Sequence, residues 1–279
     1  MCSYAYYNGK FGKKEEISIP LSDRSIYFGD AVYDVALGSY DRILWESEHL
    51  DRLLANAKRL GIIHPYSKKH LSELCREAAV KTTLKSYLLY IQLSRSYESR
   101  KHSAVGCAAN LLITIDPFEI NESQPPLRLV TEKDIRYSLC DVKTVNLIPS
   151  VMSATRAEML GCDEGIFIKN GIVTECTKSN ILIIKQGRVI THPNSNRILP
   201  GVARAKLLEK CASSKIEVLE RPFTKNELFT ADEVLLTSTT KLCRRASAID
   251  GKAVGGKNKK MADFLCKCML SEYFSTCFL

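Results

Sequence analysis

The sequence lacks the long apolar run that a membrane helix requires. No stretch of its 279 residues comes near the ~20 consecutive apolar residues that span a bilayer. The first residues, MCSYAYYNGKFGKKEE, also lack the charged, apolar and small-residue regions of a secretory signal. We therefore expect no membrane partner and a cytoplasmic location.

Paired cysteine motifs are missing as well, although cysteine itself is abundant. The eleven cysteines include no C-x-x-C pair, and the only close pair is Cys266 and Cys268. No matching histidine cluster accompanies them, so we expect no metal site. Because a chain of this length buries a large core without disulfides, we interpret the cysteines as reduced thiols.

Acidic residues are fewer than basic ones, 31 against 40, which gives a net charge of +9. The positive charge is spread along the chain, and its one dense run, Lys252 to Lys260, contains no aromatic residue. This distribution favours a solvated loop over a nucleic-acid surface, so we expect no nucleic-acid partner. A basic surface also suits anionic small molecules.

Short strands and helices mix throughout the chain, which predicts the α+β (mixed α/β) class. In the first part, a strand over Ala31 to Tyr40 precedes a turn at Asp41-Arg42 and a partner strand over Ile43 to Trp45. Ser47 is expected to cap a helix that ends at Gly61, and a second helix is expected from Ser67 to about Thr82.

A polar, proline-containing stretch, INESQPP at 120–126, is the best linker candidate. It predicts a domain over 1–119 and a second over 127–279. In the second domain, tight turns at Asn170-Gly171 and Gln186-Gly187 are expected to join short strands, and helices are expected over Ser150 to Leu160 and Gly201 to Ser213.

Six segments, in order, carry a resemblance to a known family: DRSIYFGDAVYDV, HLDRLLANAKRLGI, DVKTVNLIPSVMSATRAEMLGCDEGIF, GIVTECTKSNILII, THPNSNRILPGVAR and LTSTTKL. From Tyr4 to about Gly251 the chain resembles the fold-type IV pyridoxal-phosphate family. That family includes D-amino-acid aminotransferase, branched-chain aminotransferases and aminodeoxychorismate lyase. The resemblance implies a small N-terminal α/β domain, a larger C-terminal domain with a β-barrel-like sheet, and pyridoxal 5′-phosphate between them.

The resemblance makes Lys143 the Schiff-base lysine and proton shuttle, and Glu175 the partner of the cofactor's pyridine nitrogen. A carboxylate there keeps the nitrogen protonated, so that the ring accepts electrons from the substrate carbanion. The apolar neighbours of Glu175, Ile172 and Val173, favour its burial. The full set of expected cofactor-binding residues is Arg52, Lys143, Glu175, Ser179, Asn180, Leu199, Gly201, Val202, Ala203, Ser238, Thr239 and Thr240.

Phosphate is bound by helix N-termini, backbone N–H turns and arginine, which the LPGVAR turn, the STT turn and Arg52 supply. Two positions depart from the family pattern. Ala203 stands where several relatives carry a threonine that contacts phosphate, and Lys178 stands where a small residue is common. Either departure could alter cofactor affinity, and Lys178 could alter the base beside the cofactor.

Arg100 and His102 are expected to bind the substrate carboxylate. Spaced two apart in an extended loop, they point the same way and can donate to one carboxylate. An Arg-x-His here resembles the D-amino-acid aminotransferases, and Tyr33 matches the tyrosine that acts with it. Because that pair reaches across a dimer in the family, the resemblance implies a homodimer.

The sequence therefore predicts ping-pong transamination of a D-amino acid such as D-alanine with a 2-oxo acid such as 2-oxoglutarate, through Lys143. Aminodeoxychorismate lyase and branched-chain L-amino-acid aminotransferase remain alternatives within the family. A catalytically silent member is a third alternative. A basic nucleic-acid-binding module is a fourth, and it rests only on the net charge and the basic run.

Overall fold

The computed structural model describes residues 3–96, 100–123 and 125–278. The chain forms two compact units. The first contains the chain up to Glu119, the segment Val142–Asn146 and the end of the chain from Phe274, and the second contains Ile120–Asp141 and Leu147–Tyr273. The linker predicted over 120–126 includes residue 124, which lies outside the described residues, and the predicted domain boundaries stay a prediction.

The first unit is built on a six-stranded antiparallel sheet in the order β2-β1-β6-β5-β3-β4. Its elements in chain order are β1 (Tyr4–Tyr7), β2 (Lys10–Lys13), a 3₁₀ turn (Lys14–Glu16), α1 (Arg24–Phe28), β3 (Ala31–Ser39), β4 (Arg42–Ile43), α2 (Glu46–Arg59), α3 (Lys68–Thr82), β5 (Tyr87–Arg95) and β6 (Ala109–Pro117).

Helices α2 and α3 share one core with this sheet. On α2 the buried positions include Leu50, Leu53 and Ala57, which follow the helical spacing that the sequence predicts. The second predicted helix, from Ser67 to about Thr82, is α3. Ser67 is its N-cap, since the Ser67 Oγ accepts a hydrogen bond from the His70 N–H at 3.1 Å.

The start of α2 differs from the prediction. Trp45 adopts a left-handed conformation (φ 51°, ψ 36°), so the helix begins at Glu46, and β4 ends at Ile43. Ser47 does not cap the helix, and its Oγ instead accepts a hydrogen bond from Lys68 Nζ at 2.8 Å. The turn before β4 also lies one residue earlier than predicted, because Tyr40 takes the positive φ of 53°.

The second unit contains a ten-stranded mixed sheet in the order β12-β11-β10-β14-β15-β7-β8-β9-β13, with β16 paired to β15. Its elements are β7 (Leu127–Lys133), α4 (Ile148–Met159), β8 (Glu164–Lys169), β9 (Ile172–Cys176), β10 (Asn180–Lys185), β11 (Arg188–Thr191), α5 (Val202–Ser213), β12 (Val218–Glu220), β13 (Phe223–Thr224), α6 (Lys225–Phe229), β14 (Glu233–Ser238), β15 (Leu242–Ile249), β16 (Lys252–Ala253) and α7 (Lys259–Phe278), of which the part up to Tyr273 belongs to this unit.

Tight turns join the strands of this unit where the sequence predicts them. Asn170 and Gly171 both have positive φ between β8 and β9, and Gln186 and Gly187 do so between β10 and β11. Helix α4 begins at Ile148, two residues before the predicted start, because Pro149 is accepted in the first turn of a helix. Among the residues that the structure describes, no helix is long and apolar enough to cross a bilayer.

Candidate active site

Lys143 lies on a loop that is joined to β3 in the first unit. The Tyr33 N–H donates to the Lys143 carbonyl at 2.9 Å, and Val32 and Thr144 form an antiparallel bridge. The Lys143 Nζ lies 4.4 Å from the centre of the Tyr33 ring. The fold thus brings together the expected imine lysine and the expected substrate-binding tyrosine, which are 110 positions apart in the sequence (143 minus 33).

Tyr33 is itself held by a second aromatic residue. Its ring stacks on that of Tyr90 on β5, with centroids 5.2 Å apart. The Tyr90 hydroxyl donates to Gln92 Oε1 at 2.6 Å, and this hydrogen bond holds the Tyr90 ring in place against Tyr33. Neither Tyr90 nor Gln92 was singled out from the sequence, because nothing local marks one strand tyrosine as the support of another.

A buried ionic cluster surrounds Arg52. Its Nε and Nη2 each donate to the carboxylate of Asp34 at 2.8 Å, and His49 Nδ1 lies 2.7 Å from Asp34 Oδ1. Burial alone would raise the pKa of Asp34, but the Arg52 charge and the His49 bond outweigh it and hold that pKa well below its usual range. Asp34 is therefore a permanent carboxylate that positions Arg52 on α2.

His49 completes this cluster and is neutral near pH 7. Burial lowers the pKa of His49, and the opposing effect of Asp34 does not restore it. A neutral ring that donates from Nδ1 carries its lone pair on Nε2, and Nε2 is a buried atom without a hydrogen-bond partner among the described residues. The signal for His49 in the sequence was its spacing, three residues before Arg52 on the same helix face.

Arg100 and His102 lie beside one aromatic ring of α1. The Arg100 guanidinium lies 4.9 Å from the centre of the Phe28 ring, and the His102 ring meets Phe28 edge-on at 5.5 Å. Arg24 fixes the loop by donating to the carbonyls of Lys101 at 2.6 Å and His102 at 2.9 Å. Both expected carboxylate-binding residues are exposed, and both lie near the Phe28 ring.

Glu175 is buried at the end of β9, as its apolar neighbours indicate. Its carboxylate accepts hydrogen bonds from Arg136 Nη1, from Asn180 Nδ2 at 3.0 Å and from the Leu199 N–H at 3.0 Å. Asn180 also donates to the Leu199 carbonyl at 2.8 Å. The structure therefore brings together three expected cofactor-binding residues, Glu175, Asn180 and Leu199, in the second unit.

Arg136 is a residue of this site that sequence reasoning missed. It also donates to both oxygens of Asp134, at 3.0 and 2.8 Å, and its guanidinium lies over the Phe167 ring at 4.5 Å. Burial lowers the pKa of Arg136, but Asp134 and Glu175 outweigh that effect and raise it above the ordinary value. Its contact with Glu175 spans 39 residues, and no local pattern in the sequence signals it.

The buried carboxyl of Glu175 should make stability depend on pH. Burial raises its pKa from 4.5 to about 7, against the lowering effects of Arg136 and the Leu199 N–H. A carboxyl with a raised pKa binds its proton more tightly in the folded chain, so its contribution to stability is present below pH 4.5 and is lost as the pH rises to about 7.

We expect the free energy of unfolding of the cofactor-free protein to fall over this range relative to Glu175→Gln, by at most about 3 kcal/mol. Urea titrations at several pH values measure the difference. Glu227→Gln is the matched control, because the Arg221 hydrogen bond lowers the pKa of Glu227 and its effect should have the opposite sign. A difference for Glu175→Gln that is constant with pH would contradict the raised pKa.

The turn before α5 is closely packed against Asn180. A Cβ added to Gly201 would lie 1.9 Å from Asn180 Oδ1, so only glycine allows this approach. Gly201 is the N-cap of α5, and the first N–H groups of a helix have no acceptor within it. Val202 and Ala203 lie buried in that first turn, and Ala203 offers backbone but no side-chain hydroxyl to an anion.

The turn from Ser238 to Thr240 connects β14 and β15. The hydroxyls of Thr237 and Ser238 are buried and have no hydrogen-bond partner among the described residues. Since a buried hydroxyl without a partner costs free energy, these two atoms point to a polar ligand at this turn. Thr237 was not among the predicted residues, whereas Ser238, Thr239 and Thr240 were.

A buried ion pair links the end of the Ser238 to Thr240 turn to the region of the turn that follows β9. Lys241 Nζ lies 2.7 Å from Glu164 Oε2, and the side chains are 9% and 0% exposed. Glu164 also accepts from the Ser179 hydroxyl at 2.9 Å and from the Lys178 N–H at 2.7 Å. Ser179 is thus held by a network, while the Lys178 side chain is exposed. Neither Glu164 nor Lys241 was singled out from the sequence.

These groups fit pyridoxal phosphate, each within its own unit. The second unit supplies a buried carboxyl for a ring nitrogen, together with the buried hydroxyls of Thr237 and Ser238 and the first turn of α5 for a phosphate. The first unit supplies the Lys143 amine and the ion-paired Arg52. In the described part of the chain, no group of three or more His, Cys, Asp or Glu side chains is arranged to hold a metal ion.

The family model for Amino-transferase class IV matches residues 31–249. A D-alanine aminotransferase of Bacillus licheniformis is 34% identical over 254 residues, which cover 89% of each protein. A branched-chain amino acid aminotransferase of T.th., solved with pyridoxamine 5′-phosphate, is 20% identical, with a TM-score of 0.91 and coverage of 99% and 98%. A putative 4-amino-4-deoxychorismate lyase of Legionella pneumophila is 25% identical, with a TM-score of 0.86 and coverage of 93% and 97%.

The extent of these matches shows the family, and the predicted fold class is confirmed. The family model covers more than half of the chain, and the Bacillus relative exceeds 30% identity over most of it. The structural likeness extends over nearly the whole chain. The chain belongs to the class IV aminotransferases and is an enzyme whose cofactor is pyridoxal 5′-phosphate.

Proposed function

We propose that the enzyme transfers the amino group of a D-amino acid such as D-alanine to a 2-oxo acid such as 2-oxoglutarate. The observation that carries the proposal is the Lys143 Nζ on the ring face of Tyr33. It sets the expected base beside an expected carboxylate-binding residue. The name of the 34% identical relative, D-alanine aminotransferase, supports the choice of substrate.

In this proposal the substrate is held by its carboxylate. Tyr33 of one subunit, with Arg100 and His102 of the partner subunit, donates hydrogen bonds to the two carboxylate oxygens. Holding the carboxylate in this way fixes the direction of the Cα–H bond. Lys143 Nζ removes the Cα proton in the first half-reaction and returns a proton to Cα of the second substrate. The enantiomer is selected by which face of Cα the amine reaches.

Pyridoxal phosphate, when bound, supplies an electron sink for the substrate carbanion. Glu175 holds a positive charge on the pyridine nitrogen, and Arg136, Asn180 and the Leu199 N–H orient its carboxylate. The phosphate is held by Arg52, by the N–H groups of the Gly201 to Ala203 turn and by the Ser238 to Thr240 turn. Ser179 keeps its place through Glu164.

A chiral product assay tests the proposal. D-alanine and 2-oxoglutarate should give pyruvate and D-glutamate in equal amounts, and neither L-alanine nor L-leucine should be consumed. Consumption of the L-enantiomers would identify a branched-chain L-transaminase instead. No amino transfer from any donor, with the cofactor bound, would leave a silent family member.

The lyase is the second candidate, because the similar Legionella structure is titled a putative 4-amino-4-deoxychorismate lyase. A lyase would release pyruvate from aminodeoxychorismate without any 2-oxo acid. The transaminase proposal predicts no such release. The two activities therefore separate in a single assay with the acceptor omitted.

We further propose a homodimer in which Arg100 and His102 serve the partner's substrate. Their exposure on the loop beside Phe28 supports this arrangement. Light scattering on the purified protein measures the mass directly. A cytoplasmic location is also proposed, and it is supported by cysteines that are unpaired throughout the described residues.

A further inference from the structure

Two cysteines of the second unit lie in contact with each other, outside the site described above. The Sγ of Cys266 on α7 donates to the Sγ of Cys243 on β15, and the two sulfur atoms are 3.5 Å apart. Cys243 is buried, with 5% of its surface exposed, whereas Cys266 is partly exposed. The two cysteines are 23 positions apart in the sequence, so the folding of the chain brings them into contact.

The position of Cys243 connects this pair with the cofactor region. In the antiparallel ladder between β14 and β15, Cys243 is the direct partner of Thr237, and Leu242 is the partner of Ser238. The pair Ser238 and Leu242 closes the Ser238 to Thr240 turn, and Cys243 is the next residue along β15. Because the two residues are paired across the ladder, we expect a movement of β15 at Cys243 to displace Thr237, whose buried hydroxyl has no partner among the described residues.

The two thiols differ in their access to an oxidant. The hydrogen bond from Cys266 and burial both raise the pKa of Cys243 well above its usual range, so Cys243 is the less reactive of the two toward an oxidant. Cys266 is the thiol that an oxidant from solvent reaches first. The cysteine next but one, Cys268, points to another side of α7, since residues two apart on a helix do not share a face.

We propose that Cys243 and Cys266 form a reversible disulfide, and that its closure weakens phosphate binding by the Ser238 to Thr240 turn. A disulfide bond is ~2.05 Å long, so closure brings the sulfur atoms about 1.5 Å closer than their present contact. That shift acts on β15 opposite Thr237 and deforms the turn. The effect on phosphate binding rests on the proposed role of the turn in holding the phosphate.

The oxidant is a peroxide or a small-molecule disulfide. With hydrogen peroxide, the Cys266 sulfur attacks one oxygen, the O–O bond breaks, and a sulfenic acid and one water form. The Cys243 sulfur then attacks Cys266 Sγ, the S–O bond breaks, and the thiol proton leaves with the hydroxide as a second water. Two thiols and one peroxide thus yield one disulfide and two waters, and a dithiol reductant reverses the change.

Peptide mapping of the holoenzyme tests the disulfide itself. After treatment with hydrogen peroxide and alkylation of the remaining thiols, trypsin separates the three relevant cysteines, because Lys241, Arg244, Lys260 and Lys267 flank them. We expect a cross-link between LCR, which contains Cys243, and MADFLCK, which contains Cys266. It should disappear with dithiothreitol and in Cys266→Ser, and persist in the matched control Cys268→Ser.

Cofactor retention tests the consequence. After oxidation and desalting, the wild type and Cys268→Ser should release pyridoxal phosphate on the order of tenfold faster, whereas Cys266→Ser should be unaffected by peroxide. Absence of the cross-linked peptide, or a cross-link between other cysteines, overturns the site. A cross-link without faster release overturns the effect on the turn. A protein that forms the cross-link but never binds pyridoxal phosphate retains the thiol site and refutes the proposed function.

Discussion

Replacing Lys143 by alanine is expected to lower transamination by about 10⁴-fold, the upper end of what a positioned base contributes. The amine on the ring face of Tyr33 is the proposed carrier of the Cα proton, and alanine offers no group to replace it. Initial rates with the best donor and acceptor measure the effect. Borohydride reduction of the wild type should attach the cofactor to the peptide that contains Lys143.

Lys58→Ala is the matched control, because Lys58 is an exposed lysine on α2. It should retain the rate of the wild type. A second check uses a small primary amine added to Lys143→Ala, which should restore part of the rate by acting as a diffusible base. Full turnover by Lys143→Ala, or borohydride labelling of another lysine, would refute the assignment.

Asp34→Asn is expected to destabilise the protein by about 3–5 kcal/mol, the usual cost of removing one partner from a buried ion pair. The carboxylate accepts two hydrogen bonds from Arg52 and one from His49, and its side chain is only 1% exposed. The amide NH₂ of asparagine would place a donor against these donors. Urea unfolding followed by circular dichroism at pH 7 measures the loss.

Asp51→Asn provides the control on the same part of the chain. Asp51 pairs with Lys68 at 2.6 Å, but its side chain is 61% exposed, so the change should cost less than about 1 kcal/mol. The pKa of Asp34 is lowered, so its stabilising effect is complete above its ordinary value of 3.8 and is lost only as the pH falls below that value. Equal losses for both variants at pH 7 would contradict the buried cluster.

Local signals in the sequence predicted the elements that depend on local chemistry. Ser67 caps α3 because a serine hydroxyl satisfies a nearby N–H whatever the rest of the fold does. The turns at Asn170-Gly171 and Gln186-Gly187 are also local, because asparagine and glycine accept the positive φ that such turns require. The start of α2 was predicted wrongly, because the buried Trp45 precedes the helix in a left-handed conformation and no side chain caps it.

The candidate site divides in the same way. Lys143, Glu175 and the Ser238 to Thr240 turn were predicted from segments that resemble a family. The contacts of Arg136 with Glu175 and of Glu164 with Ser179 were not predicted. Buried charges must have partners, but the sequence does not say which of 40 basic residues a given carboxylate will meet. Only the register of the sheet decides that.

The left-handed residue at the start of α2 has a practical use. Trp45 is the only tryptophan of the chain, and with 8% of its surface exposed it lies in the core of the first unit. Light at the red edge of indole absorption therefore excites a single fluorophore, one residue before the helix that carries His49 and Arg52. Its emission reports the local folding of that helix in the natural protein, without any introduced dye.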